Sequence, residues 1–144
     1  MFENDKLIGY HGTDTATASV IVSGRIDVNR GGGELGRGFY LQEYLHEARE
    51  WAHHKFSSSG AVAKTTIPET SFIELDPVVL SRQQAIFKRL RIKTSGQARV
   101  FLFGRNAVWA PIVGSSKVRG DQFKFETNSS QTLLNGASVD RSIV

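Results

Sequence analysis

Residues 29–56 read NRGGGELGRGFYLQEYLHEAREWAHHKF, and the changes of pattern inside this stretch decide the fold. Residues 29–38 hold five glycines and are predicted to form a loop, of the kind found where backbone must approach a ligand or move. Phe39-Tyr40-Leu41 reads as a short strand. From Glu43 the period becomes helical: Leu45, Ala48, Trp51 or Ala52, and Phe56 form an apolar stripe. Acidic residues near its start and Lys55 near its end follow the order that the helix dipole favours. Residues 57–60 (SSSG) break the helix.

On the N-terminal side, residues 6–11 (KLIGYH) are predicted to be a strand ended by Gly12-Thr13. Thr13 or Asp14 then caps a helix through Ala16, Ala18, Val20 and Ile21, which stops at Gly24. On the C-terminal side, residues 61–67 and 71–75 are predicted strands separated by Pro68-Glu69. Asp76-Pro77 is predicted to open a helix that buries Val79, Leu80, Gln83, Ile86, Phe87 and Leu90. Residues 99–103, 107–112 and 122–125 are further strand candidates, residues 129–134 a short helix, and the last ten residues are expected to fray. Strands concentrated after residue 60, without regular βαβ alternation or internal repeats, give one mixed α+β domain over residues 1–144.

At 144 residues the chain fits one core and no interdomain cleft. The lack of cysteine excludes disulfides, thiol nucleophiles and thiolate metal sites. No apolar run approaches the roughly 20 residues that cross a bilayer, and the N-terminal residues MFENDKLIGYHG carry no basic-then-apolar export segment. Charge is uneven: residues 1–72 carry 7 basic and 9 acidic side chains, residues 73–144 carry 11 and 5, so the halves stand at −2 and +6. Between Pro77 and Gly120 there are nine cations and no acid. Such a stretch is either a solvated face or a field for phosphates, nucleic acid or an acidic partner.

Three chemistries fail on spacing. The glycine run lacks the Gly-Lys-Ser/Thr of a phosphate loop and the strand–GxGxxG–helix context of a dinucleotide fold. His53 and His54 are adjacent and diverge on a helix, so they and His46 read as surface residues rather than metal ligands. Glu43 and Glu47 share a helical face and read as a solvated pair. Tyr10-His11-Gly12-Thr13, Gly36-Arg37-Gly38-Phe39-Tyr40-Leu41 and Trp51 remain. His-Gly at a strand end presents an imidazole beside open backbone, and Gly38 lets a ligand lie close to the chain. Tyr40 and Trp51 either clamp a flat ring or pack in the core.

YHGT, then GRGFYL, then EAREWA resembles the ADP-ribosyltransferase superfamily, in the branch that includes poly-ADP-ribose polymerases, diphtheria-type toxins and small bacterial domains. The resemblance is clear over residues 10–52 and weaker over residues 107–113 and 122–134. It implies an α+β ADP-ribosyltransferase fold, with two small antiparallel sheets forming a split core, flanking helices and NAD⁺ as co-substrate in the crevice between the sheets. It implies that His11 bonds the adenine-side ribose, that the Gly12 backbone pairs with the carboxamide, and that Thr13 assists by its hydroxyl or by fixing the turn. Tyr40 would stack on nicotinamide, and Trp51 would close the pocket or pack on the sheet. Ala48 stands where the polymerase branch has a carboxamide-binding serine. Gln122 stands nearest the catalytic glutamate; it can hold a ribose hydroxyl but carries no charge, and Asp121 and Glu126 are its neighbours on the strand. His11, Tyr40 and Gln122 are therefore the expected catalytic set, with no metal.

The activity so implied is mono-ADP-ribosyl transfer, with NAD⁺ hydrolysis or a silent nucleic-acid-binding domain as the rivals. The acceptor would be RNA or DNA, held by the basic region 82–119, or a protein. The small size resembles a bacterial toxin or effector domain, part of a longer secreted protein, acting in a bacterial cytoplasm and matched by an immunity protein or antitoxin.

Overall fold

The structure is a computed structural model and describes residues 2–144. In chain order the elements are β1 (Phe2–Glu3), β2 (Lys6–Asp14), α1 (Thr15–Val22), β3 (Phe39–Gln42), α2 (Leu45–Phe56), β4 (Gly60–Pro68), α3 (Glu69–Glu74), β5 (Val78–Val79), α4 (Arg82–Thr94), β6 (Ala107–Pro111), β7 (Asp121–Phe125), α5 (Asn128–Leu134) and β8 (Asp140–Ile143). The eight strands form one open sheet in the order β5-β6-β7-β3-β2-β4-β8, with β1 beside β2. Every pairing is antiparallel except β5 with β6.

The two separate sheets expected of a split core are instead one hydrogen-bonded sheet. Its weakest seam lies between β2 and β3, which share the single register pair Tyr10↔Gln42. By contrast, β2 and β4 pair from Lys6↔Pro68 to Asp14↔Gly60, and β3 pairs with β7 along its whole length. A four-residue strand emerging from a glycine loop reaches β2 only at its far end.

Alternation along the strands separates the two faces. Leu7, Phe39, Leu41, Ala63, Ile67, Phe123 and Phe125 point to one side, where they meet Ile21 of α1, Phe72 of α3, Leu134 of α5, and Ile26, Val28 and Val139. Phe72 is the hub, edge-on to Phe123 at 5.7 Å and to Trp109 at 6.3 Å between ring centroids. On the other face two smaller clusters form. Ala48 and Ala52 of α2 cover Val62, Tyr10 and Leu45, while Ala85 of α4 packs with Val108, Ala110 and Leu35.

Local signals placed several elements where the sequence put them. Asp14 caps α1 by accepting the Thr17 N–H at 2.9 Å, and Gly24 beyond its end has φ +81°. Five expectations need correction. Residues 71–75 are helical within α3 and its end, not a strand, because Phe72 and Leu75, three apart, are the residues that reach the core while Ile73 is exposed. Asp76-Pro77 does not open a helix: Asp76 sits at φ +53°, Val78–Val79 pair with β6, and α4 starts later behind a capping box of Ser81 and Gln84. That helix docks on Ala85 and Ile92, so Ile86, Phe87 and Leu90 of the expected buried stripe are exposed. Residues 99–103 form no strand, and the C-terminal end does not fray as an element, since β8 pairs with β4 from Ala63↔Ile143 to Thr66↔Asp140. Among the described residues no helix is long and apolar enough to cross a membrane.

Phe72→Ala should cost about 3–5 kcal/mol, as an aromatic truncation leaving a cavity. Phe87→Ala, at a side chain 57% exposed, should change stability by less than about 0.5 kcal/mol. Urea midpoints of the two variants check both values.

Candidate functional site

Because α2 covers β2 and β4 while α4 covers β6, the middle of the second face lies between the two helices. A cavity of about 790 Å³ occupies that place. It is lined by Tyr10, His11 and Gly12 of β2, Tyr40 and Gln42 of β3, Gln122 of β7, Trp51 of α2 and the glycine loop. The cavity therefore sits on the β2–β3 seam, where a full ladder would have closed the sheet.

His11 crosses this seam. Its Nδ1 lies 2.7 Å from the Tyr40 carbonyl oxygen, and its ring stacks on Phe39 at 4.6 Å. A carbonyl can only accept, so Nδ1 carries the proton, and the neutral ring keeps Nε2 as an acceptor. Burial holds the imidazole pKa below its ordinary value, and the bond to Tyr40 only partly offsets this. Beyond Tyr10, β2 has no strand partner on the β3 side, which leaves the backbone around Gly12 facing the seam. Gly12 also has a steric reason to be glycine: a Cβ there would stand 2.3 Å from the Ala48 carbonyl oxygen, which would push α2 off the sheet.

Tyr40 serves the loop as well as the cavity. Its hydroxyl donates to the Gly36 carbonyl at 2.5 Å and accepts the Leu35 N–H at 3.2 Å. Burial raises the phenol pKa far above its ordinary value, so this donor stays protonated. Gly33 lies against the ring, where a Cβ would approach Cζ to 2.8 Å. The glycine run is thus a loop folded onto an aromatic platform.

Trp51 is 47% exposed at the cavity rim, with the Lys55 ammonium 5.4 Å from its ring centroid; it does not pack into the core. Gly38 borders the cavity, but the space a side chain would need is taken by Lys124 and the Phe125 carbonyl. Thr13 does not line the cavity; its hydroxyl approaches Asp14 Oδ1 at 3.5 Å, beside the α1 cap. Ala48 is fully buried beneath Gly12.

Gln122 is 4% exposed and lines the cavity. Its Nε2 donates to Glu34 Oε1 at 2.6 Å and to the Pro111 carbonyl at 3.2 Å. Both partners can only accept here, which fixes the orientation of the amide. Its Oε1 has no hydrogen-bond partner among the described residues. Neither neighbour joins it. Asp121 turns to the opposite face and accepts the Trp109 indole N–H at 2.8 Å, while Glu126 is buried with Lys124 at 2.8 Å and accepts the Phe103 and Gly104 N–H groups.

Glu34 is the residue that sequence reasoning missed. Nothing in GGGELGRG sets it apart from a solvated loop acid, because its partners Val113 and Gln122 stand 79 and 88 positions away. Glu43 and Glu47 need correction for the same reason. Glu47 is buried in α2 and accepts the Arg119 and Gly120 N–H groups before β7, while Glu43 lies ahead of α2 and accepts the N–H of Asp121, the first residue of β7. His46, His53 and His54 are exposed, as expected. Of the nine cations between Pro77 and Gly120, Arg105 pairs with Asp76 at 3.0 Å and Arg89 with Glu34 at 3.7 Å, while Lys117 lines the cavity. No group of three or more metal-ligating side chains gathers among the described residues.

The lowered His11 pKa sets the sign of a pH effect. Between the folded and unfolded pKa values the unfolded chain binds more protons, so stability rises with pH there. The stabilisation is complete above about pH 6.5, the unfolded value, and is lost as pH falls toward the folded one. Melting temperatures from pH 7.5 downward should therefore fall more for the parent than for His11→Gln, which has no such titration.

No protein-family model matches the chain, and no curated protein is recognisably similar to it in sequence.

Proposed function

We propose that the cavity binds NAD⁺ and that the protein is a mono-ADP-ribosyltransferase, its seamed sheet being a form of the ADP-ribosyltransferase fold. The observation that carries this is convergence. His11, Gly12, Tyr40, Trp51 and Gln122, read from the sequence as one site, come from four different elements and line one cavity. The volume of about 790 Å³ is within the range of cofactor sites, and the lining combines aromatic walls with a few polar groups.

The groups left without protein partners fit the chemistry of the ligand. His11 Nε2 accepts a ribose hydroxyl, the free edge of β2 near Gly12 offers backbone to a carboxamide, and the Tyr40 ring supplies a surface for a pyridinium. Gln122 Oε1 accepts the hydroxyl of the nicotinamide-side ribose, close to where positive charge develops. Cleavage breaks the bond between ribose C1′ and the nicotinamide nitrogen. The electron pair neutralises the pyridinium, and an acceptor then bonds to C1′ and gives up its proton. Walls that exclude water favour transfer over hydrolysis.

The acceptor we favour is nucleic acid, since Arg82, Arg91 and Lys93 on α4 are exposed and Lys117 reaches the cavity. A delivered bacterial toxin with an immunity protein or antitoxin is the biological setting that this activity suits.

Adenylate-labelled NAD⁺ incubated with RNA, DNA and cell protein should place label on nucleic acid and release nicotinamide. Label on protein would change the acceptor, free ADP-ribose alone would make the protein a glycohydrolase, and no nicotinamide release would reject the activity. Tyr40→Ala should weaken NAD⁺ binding about 2- to 10-fold, the equivalent of a lost stacking contact. Calorimetry measures this directly, and an unchanged affinity in the folded variant would reject the stacking role.

A further inference from the structure

We infer that Glu34 and Gln122 work as one unit, in which Glu34 is a positioning residue that gives the Gln122 amide the electrostatic character of a carboxylate toward the ligand's ribose. This rests on the function proposed above and concerns a residue outside the site read from the sequence.

The difficulty it answers is physical. A neutral amide beside a forming oxocarbenium ion stabilises it less than a carboxylate would. Here, however, the amide is not alone. Glu34 Oε1 accepts the Gln122 N–H at 2.6 Å, a short charge-assisted contact, from a side chain only 15% exposed. Hydrogen bonds in series polarise one another: a carboxylate pulling on Nε2–H leaves more negative charge on Oε1, the atom without a protein partner. The negative charge thus stands one residue behind the position where the resemblance expects it, and Gln122 carries its influence forward. The Pro111 carbonyl takes the second Nε2 proton, so the amide cannot turn to present its N–H groups to the ligand.

Glu34 is itself held from every side. Its Oε1 also accepts the Val113 N–H at 2.8 Å, and its Oε2 faces Arg89 Nε at 3.7 Å. The next two residues are clamped by the Tyr40 hydroxyl, through the Leu35 N–H and the Gly36 carbonyl. A carboxylate on a glycine-rich loop would otherwise lose much of its effect to motion. Fixed in this way, it acts without reorganisation during the reaction.

Charge can be separated from shape by substitution. Glu34→Gln keeps an oxygen that accepts both the Val113 and Gln122 N–H groups, removes the charge and sets an amide NH2 toward Arg89 in place of the ion pair. With circular dichroism and melting temperature confirming the fold, its single-turnover rate of nicotinamide release should fall about 10- to 100-fold, while calorimetric NAD⁺ affinity changes less than about 3-fold. Gln122→Glu alone sets two carboxylates against each other and should not exceed the parent rate. An unchanged rate in Glu34→Gln would overturn the inference while leaving the proposed function standing. A rate loss matched by an equal loss of NAD⁺ affinity would overturn it too, reducing Glu34 to a structural role. A parent that releases no nicotinamide would overturn both.

Discussion

Between β2 and β3 the ladder stops at Tyr10↔Gln42, and the Tyr40 carbonyl beyond it is taken instead by the His11 Nδ1–H at 2.7 Å. A side chain thus does the work of a missing strand bond. The constraint behind it is that a buried carbonyl must find a donor, and a sheet that opens must satisfy the groups it exposes. His11 closes that account from below, stacked on Phe39, and so keeps the seam open without leaving it frayed. The cavity lies over this opening.

The two faces of the sheet divide the labour. One face carries the large aromatic core around Phe72, where Phe123, Phe125 and Trp109 meet edge to face, and this face holds the strands in register. The other is covered in two pieces joined through small residues: Ala48 and Ala52 under α2, Ala85 under α4. Small contacts let each helix lie close while keeping the two clusters apart. A larger side chain at Gly12 would lift α2 and spoil the cavity wall. Strength on one side permits a gap on the other.

Three acids, the buried Glu47 and Glu126 and the partly exposed Glu34, hold segments of the chain together around this half of the sheet. Glu34, Glu47 and Glu126 each accept at least one backbone N–H, and each ties together segments distant in sequence. Glu126 also neutralises the fully buried Lys124, whose own charge burial disfavours. Such acids are costly to bury without partners, and the bonds of Glu34 and Glu47 tie down segments that border the cavity.

Elements with local signals were legible in the chain itself. Asp14 at a cap, Gly24 after a helix, the alternation of β2, β3 and β7, and the amphipathic α2 all depend on contacts within a few residues, and the grouping of His11, Gly12, Tyr40, Trp51 and Gln122 followed from motif order. What the sequence could not settle were matters decided at a distance. Whether Phe87 or Ala85 faces the sheet depends on the room beneath α4, not on its periodicity, and the closest approach was won by the smaller side chain. One sheet or two depends on where a four-residue strand meets its neighbour. Glu34 was one acid in a glycine-rich loop until Tyr40, Arg89, Val113 and Gln122 came together around it, because only the folded chain sets that carboxylate within 2.6 Å of an amide 88 residues away.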